Sequence, residues 1–474
     1  MVVAMKMLVR NKKLISFMLV LIVIVILLTS SLFGNGTKFS SEASAGLTEL
    51  QHHANNNVKH GSDPVTINFW FPWGGGFQQE FHDTVVVPFE KVNPDIKVKM
   101  TFVENSDNSQ ASDKLLTAIA GGIAPDVAMI DRFLVGEWAA MGALEDLSSD
   151  VNRDGMAGIY YPNIWPEAQY NGKTFALPWN VDSRAMLYNK TMMEEAGLDP
   201  NKPPTTIAEL DAMAEKMFKQ NEAGTYEQVG FVPWMAQGFI YANGWNFGGQ
   251  WEKEGELTPN DPENVKALEW MQRYGKKYDT KKLKSFSDEI RLAGVNPFAS
   301  GKVGFIYEGN WLLNGMNDVN FEWGIAPMPT EEGGRSVTWA GGWSFVMPKG
   351  AKYKEHAWRF IKYVAGKEGS LLWAGRGETY DLSSIPEVNK QLGLDKKKNL
   401  DVFVKLLQHA YIRPVSPVGG YMWDELYRVQ ILAINLQGEP KALLDELKRN
   451  LDAHLNEVKS AERRKTENPS QSSL

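Results

Sequence analysis

An apolar, aromatic run over 66–71 is cut by Pro72-Trp73-Gly74-Gly75-Gly76, after which Phe77, Phe81, Val85 and Phe89 recur every four residues. That order reads as strand, glycine loop, helix. Asn93-Pro94 closes the helix, and Ile96, Val98, Met100 and Phe102 then alternate with other residues as a half-buried strand requires. The theme repeats. A helix over 115–120 stops at Gly121-Gly122, Pro125 opens the next segment, and 127–130 is a short apolar strand ending at Asp131. Strands interleaved with helices predict a largely parallel sheet covered on both faces, and in such sheets ligands gather beyond the carboxyl ends of the strands. Trp73 and Asp131 both stand immediately past a predicted strand.

Past Pro178 a second series is predicted, with a strand over 185–188 and helices over 192–196, 207–218 and 264–274. Another short apolar strand, 303–306, runs directly into Tyr307-Glu308-Gly309-Asn310-Trp311. The tail is helical: Leu444, Leu447, Leu451, Leu455 and Val458 make one stripe at spacings of three and four, most simply a core-packing face. A chain of 474 residues has room for two domains or one large two-lobed unit. The absence of cysteine excludes disulfides, thiolate metal sites, cysteine nucleophiles and a thioether lipid anchor. A formal charge of -7 argues against a dedicated nucleic-acid binder, which needs a positive surface to neutralise phosphates.

Lys6, Arg10, Lys12 and Lys13 precede an apolar run over 14–28, the charge-then-apolar order that directs a chain to export. The run is shorter than the roughly 20 residues of a membrane span, and Ala43-Ser44-Ala45 fits a cleavage pattern although it lies far from residue 28. Anchoring through this segment and release after late cleavage both stay open. Either way the body is placed outside the cytoplasmic membrane, and without cysteine it is not a lipoprotein. Loss of residues 1–45 would remove five positive charges (Lys6, Arg10, Lys12, Lys13, Lys38) and one negative (Glu42), so -7 would become -11. The polar stretch 40–62 reads as a tether, and its His52, His53 and His60 as solvated linker rather than metal ligands. No metal and no cofactor are expected.

Sixteen tryptophans indicate either a heavily aromatic core or aromatic recognition surfaces. A sugar presents C–H patches on its ring faces and hydroxyls around its edge, so a carbohydrate site needs flat apolar plates beside carboxylates or amides. Trp73 sits in a glycine loop that lets a ligand approach the backbone; Asp131 is either a hydroxyl acceptor or the cap of the helix that follows. A glycosidase would need the same aromatics and two carboxylates, and composition does not separate the two. No acid pair is marked by its context as donor and nucleophile, and neither a GxSxG elbow nor an HExxH helix occurs. The triple glycine lacks the Lys-Ser or Lys-Thr of a phosphate loop.

Over about 400 positions, from Thr66 to near Val458, the chain resembles the extracellular solute-binding proteins of ABC importers, in their sugar-binding, maltose-binding-protein-like branch. The resemblance is carried by Pro88-Phe89-Glu90-Lys91-Val92-Asn93-Pro94-Asp95-Ile96-Lys97-Val98 and by Ala120-Gly121-Gly122-Ile123-Ala124-Pro125-Asp126-Val127. Leu187-Tyr188-Asn189-Lys190, Ala196-Gly197-Leu198 and Pro204-Thr205-Thr206 follow in the family's order. Phe298-Ala299-Ser300-Gly301-Lys302-Val303-Gly304, Gly309-Asn310-Trp311 and Ala357-Trp358-Arg359-Phe360-Ile361 complete it. It implies an α/β, two-lobed periplasmic-binding-protein-like fold with a hinge and an interlobe ligand cleft. The expected division is a signal or anchor segment and tether over 1–62, an N-terminal lobe of 63–177 plus 324–368, a C-terminal lobe of 178–323 plus 369–460, and a polar tail over 461–474.

The same resemblance implies a binder rather than an enzyme, a monomer that captures an oligosaccharide or sugar-like solute and delivers it to the membrane subunits of an importer. Asp182, in Leu177-Pro178-Trp179-Asn180-Val181-Asp182, matches the segment supplying a sugar-binding acid, with Trp179 stacking beside it or wedging the hinge. Trp311 matches a stacking tryptophan, Glu308 is its weaker companion, and Trp343 and Trp423 stand where the family lines its cleft. Trp245 and Arg376 are further possible contacts. A membrane-tethered sugar sensor and, less favoured, a secreted glycosidase are the alternatives.

Overall fold

In the computed structural model, which describes residues 63–103 and 110–467, the first apolar run is strand β1 (Val65–Phe71), with Ile67, Phe69 and Phe71 fully buried. It pairs in parallel with β2 (Ile96–Phe102) on one side and with β3 (Val127–Asp131) on the other. Parallel neighbours need a crossover, which the helical stretch between β1 and β2 supplies. Phe81, Val85 and Phe89 are buried on it as their spacing requires, but the turn His82–Val86 is π-helical rather than α-helical. Pro88 is the physical reason: it lacks an N–H and its ring crowds the carbonyl four residues back, at Thr84, so a widened turn relieves both.

After β4 (Ala176–Pro178) the chain crosses out through β5 (Asn180–Val181). It then builds a second sheet from β6 (Arg184–Asn189), flanked antiparallel by β7 (Phe305–Gly309) and β8 (Trp323–Ala326). It returns as β9 (Trp343–Val346), inserted antiparallel between β3 and β4, and passes out again beside β5 as β10 (Leu382–Ser383). The first sheet therefore has the order β2-β1-β3-β9-β4, with four strands running one way. A largely parallel sheet is the sequence expectation. Strand β9 opposes it because it is the return limb of a crossing, and the second sheet is antiparallel throughout, which an alternation of strands and helices does not convey.

The crossing passages run side by side as a narrow ladder. Trp179 N–H donates to the Trp343 carbonyl (2.9 Å), Asp182 N–H to the Gly341 carbonyl (3.2 Å), and Ser384 N–H to the Trp179 carbonyl (3.3 Å). So few bonds between two larger bodies make a hinge. Buried at this ladder, Arg132 donates to the carbonyls of Asn180 (3.1 Å) and Gly341 (2.9 Å) and to the Glu167 carboxylate (2.6 Å). Helix Lys354–Ala365 covers the first sheet, setting Phe360 against Phe69, and Trp373 of helix Lys367–Ala374 packs on Phe77 and Phe81. Helices Pro262–Lys277, Gly419–Ile434 and Pro440–Glu467 pack on one another; Leu444, Leu447 and Leu451 of the predicted stripe are fully buried and Leu455 and Val458 half-buried. Among the described residues no helix is long and apolar enough to cross a membrane. The leader over 14–28 and His52, His53 and His60 lie outside the described residues.

Candidate functional site

Strand ends gather the candidate residues, because a parallel sheet places its post-strand turns along one edge. Trp73 follows β1, Asp131 ends β3, and Trp343 opens β9 directly opposite Asp131. Trp73 and Trp343 meet edge to face at 4.6 Å between ring centres, and Trp179 stands 6.3 Å from Trp73. The first two are half-buried, but Trp179 is 2 % exposed and packs on Phe81, Phe345 and Trp373. Its indole belongs to the core of the first sheet.

Of the two roles open to it in the sequence, Asp131 fills the capping one, and it adds an ion pair. Its Oδ1 accepts the Phe133 N–H (3.3 Å), capping the short turn that follows, and also accepts from Arg413 Nη2 (2.8 Å). Arg413 itself lies over Phe133 (4.1 Å), Trp339 (5.1 Å) and Trp423 (5.4 Å). Burial disfavours that cation, and the charges of Asp131 and Glu167 outweigh it, holding the Arg413 pKa above the ordinary arginine value. Trp423, at the start of helix Gly419–Ile434, stacks on Phe239 (4.3 Å). Trp245 is buried and stacks on Tyr411 (5.2 Å, interplanar angle 9°).

Asp182 lies at the hinge, where its Oδ1 accepts the Gly341 N–H (2.7 Å) and pairs with Arg184 Nη1. Residues two apart on an extended chain share a face, which is why this acid and base meet. Arg184 opens β6, opposite Gly309 at the end of β7, and Trp311 follows two residues later. The guanidinium lies 3.5 Å from the ring centre of Trp339 and 5.0 Å from that of Trp311. Glu308 points elsewhere: it is 4 % exposed, accepts from Asn296 Nδ2 (3.1 Å) and the Gly309 N–H (3.1 Å), and burial raises its pKa. Arg376 is engaged with Asp381 (2.7 Å) and Glu80 (3.2 Å) and lies over Trp373.

Trp73, Asp131, Asp182, Trp311, Trp343 and Trp423 thus present half-buried side chains, whereas Trp179, Trp245 and Glu308 stand behind them in the interior. Residue-by-residue reading of the sequence passes over Arg184, Trp339 and Arg413, which tie the half-buried set together. Arg184 carries a signal, its two-residue spacing from Asp182, and Trp339 shares a glycine-bearing segment with Trp343. Arg413 carries none, since 282 residues separate it from Asp131. Paired acids and guanidiniums offer acceptors and donors together beside indole faces, which matches the two-way hydrogen bonding of hydroxyl groups.

Residues 72–370 match the family described as bacterial extracellular solute-binding protein. The maltotriose-binding protein of Pyrococcus abyssi is 25 % identical over 339 residues, 70 % of this chain and 69 % of that one. The maltodextrin-binding protein of Bacillus subtilis is 23 % identical over 354 residues, 73 % and 80 % of the two chains. Among solved structures, a protein designated CpMnBP1 with mannobiose bound superposes with a TM-score of 0.71 at 26 % identity, over 82 % of this chain and 99 % of its own. A Listeria monocytogenes substrate-binding protein in complex with cycloalternan, at 22 % identity and a TM-score of 0.69, shares the fold over 83 % of this chain and all of its own (100 %). A two-lobed α/β fold, a three-passage hinge and a family match spanning well over half the sequence converge: this chain belongs to the bacterial extracellular solute-binding proteins.

Proposed function

We propose that the chain captures an oligosaccharide outside the cytoplasmic membrane by closing two lobes around it, and hands it unaltered to an ABC importer. The observation that carries this reading is the gathering of half-buried indoles with acid–guanidinium pairs at the hinge between two sheets. Relatives that bind maltotriose and maltodextrin, and a structural neighbour holding mannobiose, support carbohydrate as the class. Because β8 pairs in the second sheet and helix Lys367–Ala374 packs on the first, the expected bounds shift at both crossings: the first lobe is 63–177 with the stretch from β9 through helix Lys367–Ala374, and the second is the stretch from β6 through β8 with helices Gly419–Ile434 and Pro440–Glu467. Trp73, Asp131, Asp182, Trp311, Trp343 and Trp423 contact the guest, and Trp179, Trp245 and Glu308 back them. Contacts from both lobes favour closure, because the open form satisfies only one set. The protein works as a monomer, held at the membrane through its N-terminal apolar segment or released after cleavage, and makes no bond change in its guest.

Calorimetry of the wild type with manno- and malto-oligosaccharides tests the class. Binding that Trp311→Ala and Asp182→Ala both weaken is the expected result. Unchanged affinity in both variants removes this site, and shortened oligosaccharides in a chromatogram of the incubated mixture remove the non-enzymatic reading.

A further inference from the structure

We propose that Arg184 is the stop at which a bound oligosaccharide ends, its guanidinium occupying the place of a stacked sugar ring between Trp311 and Trp339; this rests on the carbohydrate reading above. A guanidinium and a pyranose compete for the same resource, a flat indole face. Here the guanidinium holds it. Its carbon lies 3.5 Å from the Trp339 ring centre and 5.0 Å from that of Trp311, and Arg184 is 5 % exposed.

Bonds on several sides fix the group. Nε donates to Gln237 Oε1 (3.2 Å), and Nη1 donates to the Trp339 carbonyl (3.4 Å) and to Asp182. Those contacts engage Nε and Nη1 and leave Nη2 with no acceptor among the described residues, an edge able to meet the terminal hydroxyls of a guest. Two glycines make the arrangement possible. A Cβ at Gly341 would stand 2.7 and 2.8 Å from the two terminal guanidinium nitrogens and 2.8 Å from Asp182 Oδ1. A Cβ at Gly309 would fall 2.0 to 2.4 Å from three carbons of the Trp311 ring. Gly309 is also the register partner of Arg184, so strand pairing and ring seating set the stop together. Asp182 is then a positioning residue as much as a sugar contact, because it holds the stop in place.

The test is calorimetry with malto- and manno-oligosaccharides of two to about seven units on the wild type, Arg184→Met and Gly341→Ala. Arg184→Met keeps the apolar stem without the guanidinium, and Gly341→Ala displaces the guanidinium without removing a charge. The wild type is expected to gain no affinity beyond a limiting length. In both variants the preference for the next longer oligomer over the shortest one should rise about five- to tenfold, the worth of one added stacking contact. A length preference unchanged in either variant, whether affinities fall together or stay put, overturns the stop. Wild-type protein that binds no member of either series overturns the carbohydrate reading itself, a result distinct from binding without a length effect.

Discussion

Trp73, Trp179 and Trp343 form one kind of tryptophan cluster; Trp311, Trp339 and Trp423 form another. In the first, the rings meet Phe71, Phe77, Phe81 and Phe345, largely edge to face, and extend the core of the first sheet to its edge. In the second, Arg184 and Arg413 thread between the indoles and draw in Asp182 and Asp131. The first cluster draws most of its partners from one sheet and its nearby helices, so its shape is set by local packing. The second takes residues from β3, β6, the crossing passages and the segment before helix Gly419–Ile434, so its shape depends on how the two halves meet. One residue type therefore supplies rigidity in one place and a closure-dependent surface in the other.

The largest expected effects are on stability. Trp179→Ala removes a fully packed indole and should lower the unfolding free energy in urea by about 3–5 kcal/mol, while Trp311→Ala at the half-buried position should cost clearly less. Equal losses would erase the contrast between the clusters. Arg132→Ala belongs in the same class: it strands the Glu167 carboxylate, which is completely buried, at a cost of about 3–5 kcal/mol. An apolar pair of similar volume, Arg132→Met with Glu167→Leu, should recover most of that loss. If the double variant stays as unstable as the single one, the damage lies in the lost bonds to Asn180 and Gly341 across the hinge.

Affinity comes next. Trp311→Ala should weaken oligosaccharide binding by about 2 kcal/mol, roughly thirtyfold, while its melting temperature stays near that of the wild type. For Trp179→Ala, whose ring faces the core, the ratio is reversed: a large drop in melting temperature and a small change in affinity at a temperature where the protein is folded. A Trp179→Ala variant that melts normally and binds poorly would move Trp179 into the contacting set.

Much of the first cluster is legible in the sequence, because local order carries it: a strand, a glycine loop with Trp73, and a helix with Phe77, Phe81, Val85 and Phe89. The π-helical turn is written there too, in Pro88, although spacing alone conceals it. The second cluster is legible only through its aromatic members. Trp311 and Trp423 stand out by type, but what makes them a site is a pair of guanidiniums whose acids lie two and 282 residues away. Periodicity reveals the first separation and nothing local reveals the second. Glu308 shows the converse limit: its neighbours in sequence, Gly309 and Trp311, lie at the seam, yet strand alternation turns its own side chain into the interior.

Glu308 gives the smallest effect and the sharpest sign. Burial raises its pKa, with Asn296, the Gly309 N–H and Arg184 pulling it partly back. In the unfolded chain the carboxyl loses its proton in the ordinary glutamate range, near 4.3, while the folded protein still holds it. As pH rises through that window the unfolded state binds fewer protons than the folded one, so stability conferred by the protonated form is lost with rising pH. Glu308→Gln cannot titrate; its single amide oxygen replaces only one of the two carboxylate oxygens that accept separately from Asn296 Nδ2 and the Gly309 N–H, a loss that does not change with pH. Relative to the wild type the variant should therefore gain stability as pH rises above the ordinary glutamate range, an advantage that grows with pH in urea unfolding. An advantage that shrinks with pH would mean that the charged carboxylate is favoured in the fold, with Arg184 rather than burial deciding its state, and the charge carried by the stop would then extend one strand deeper than the Asp182 pair.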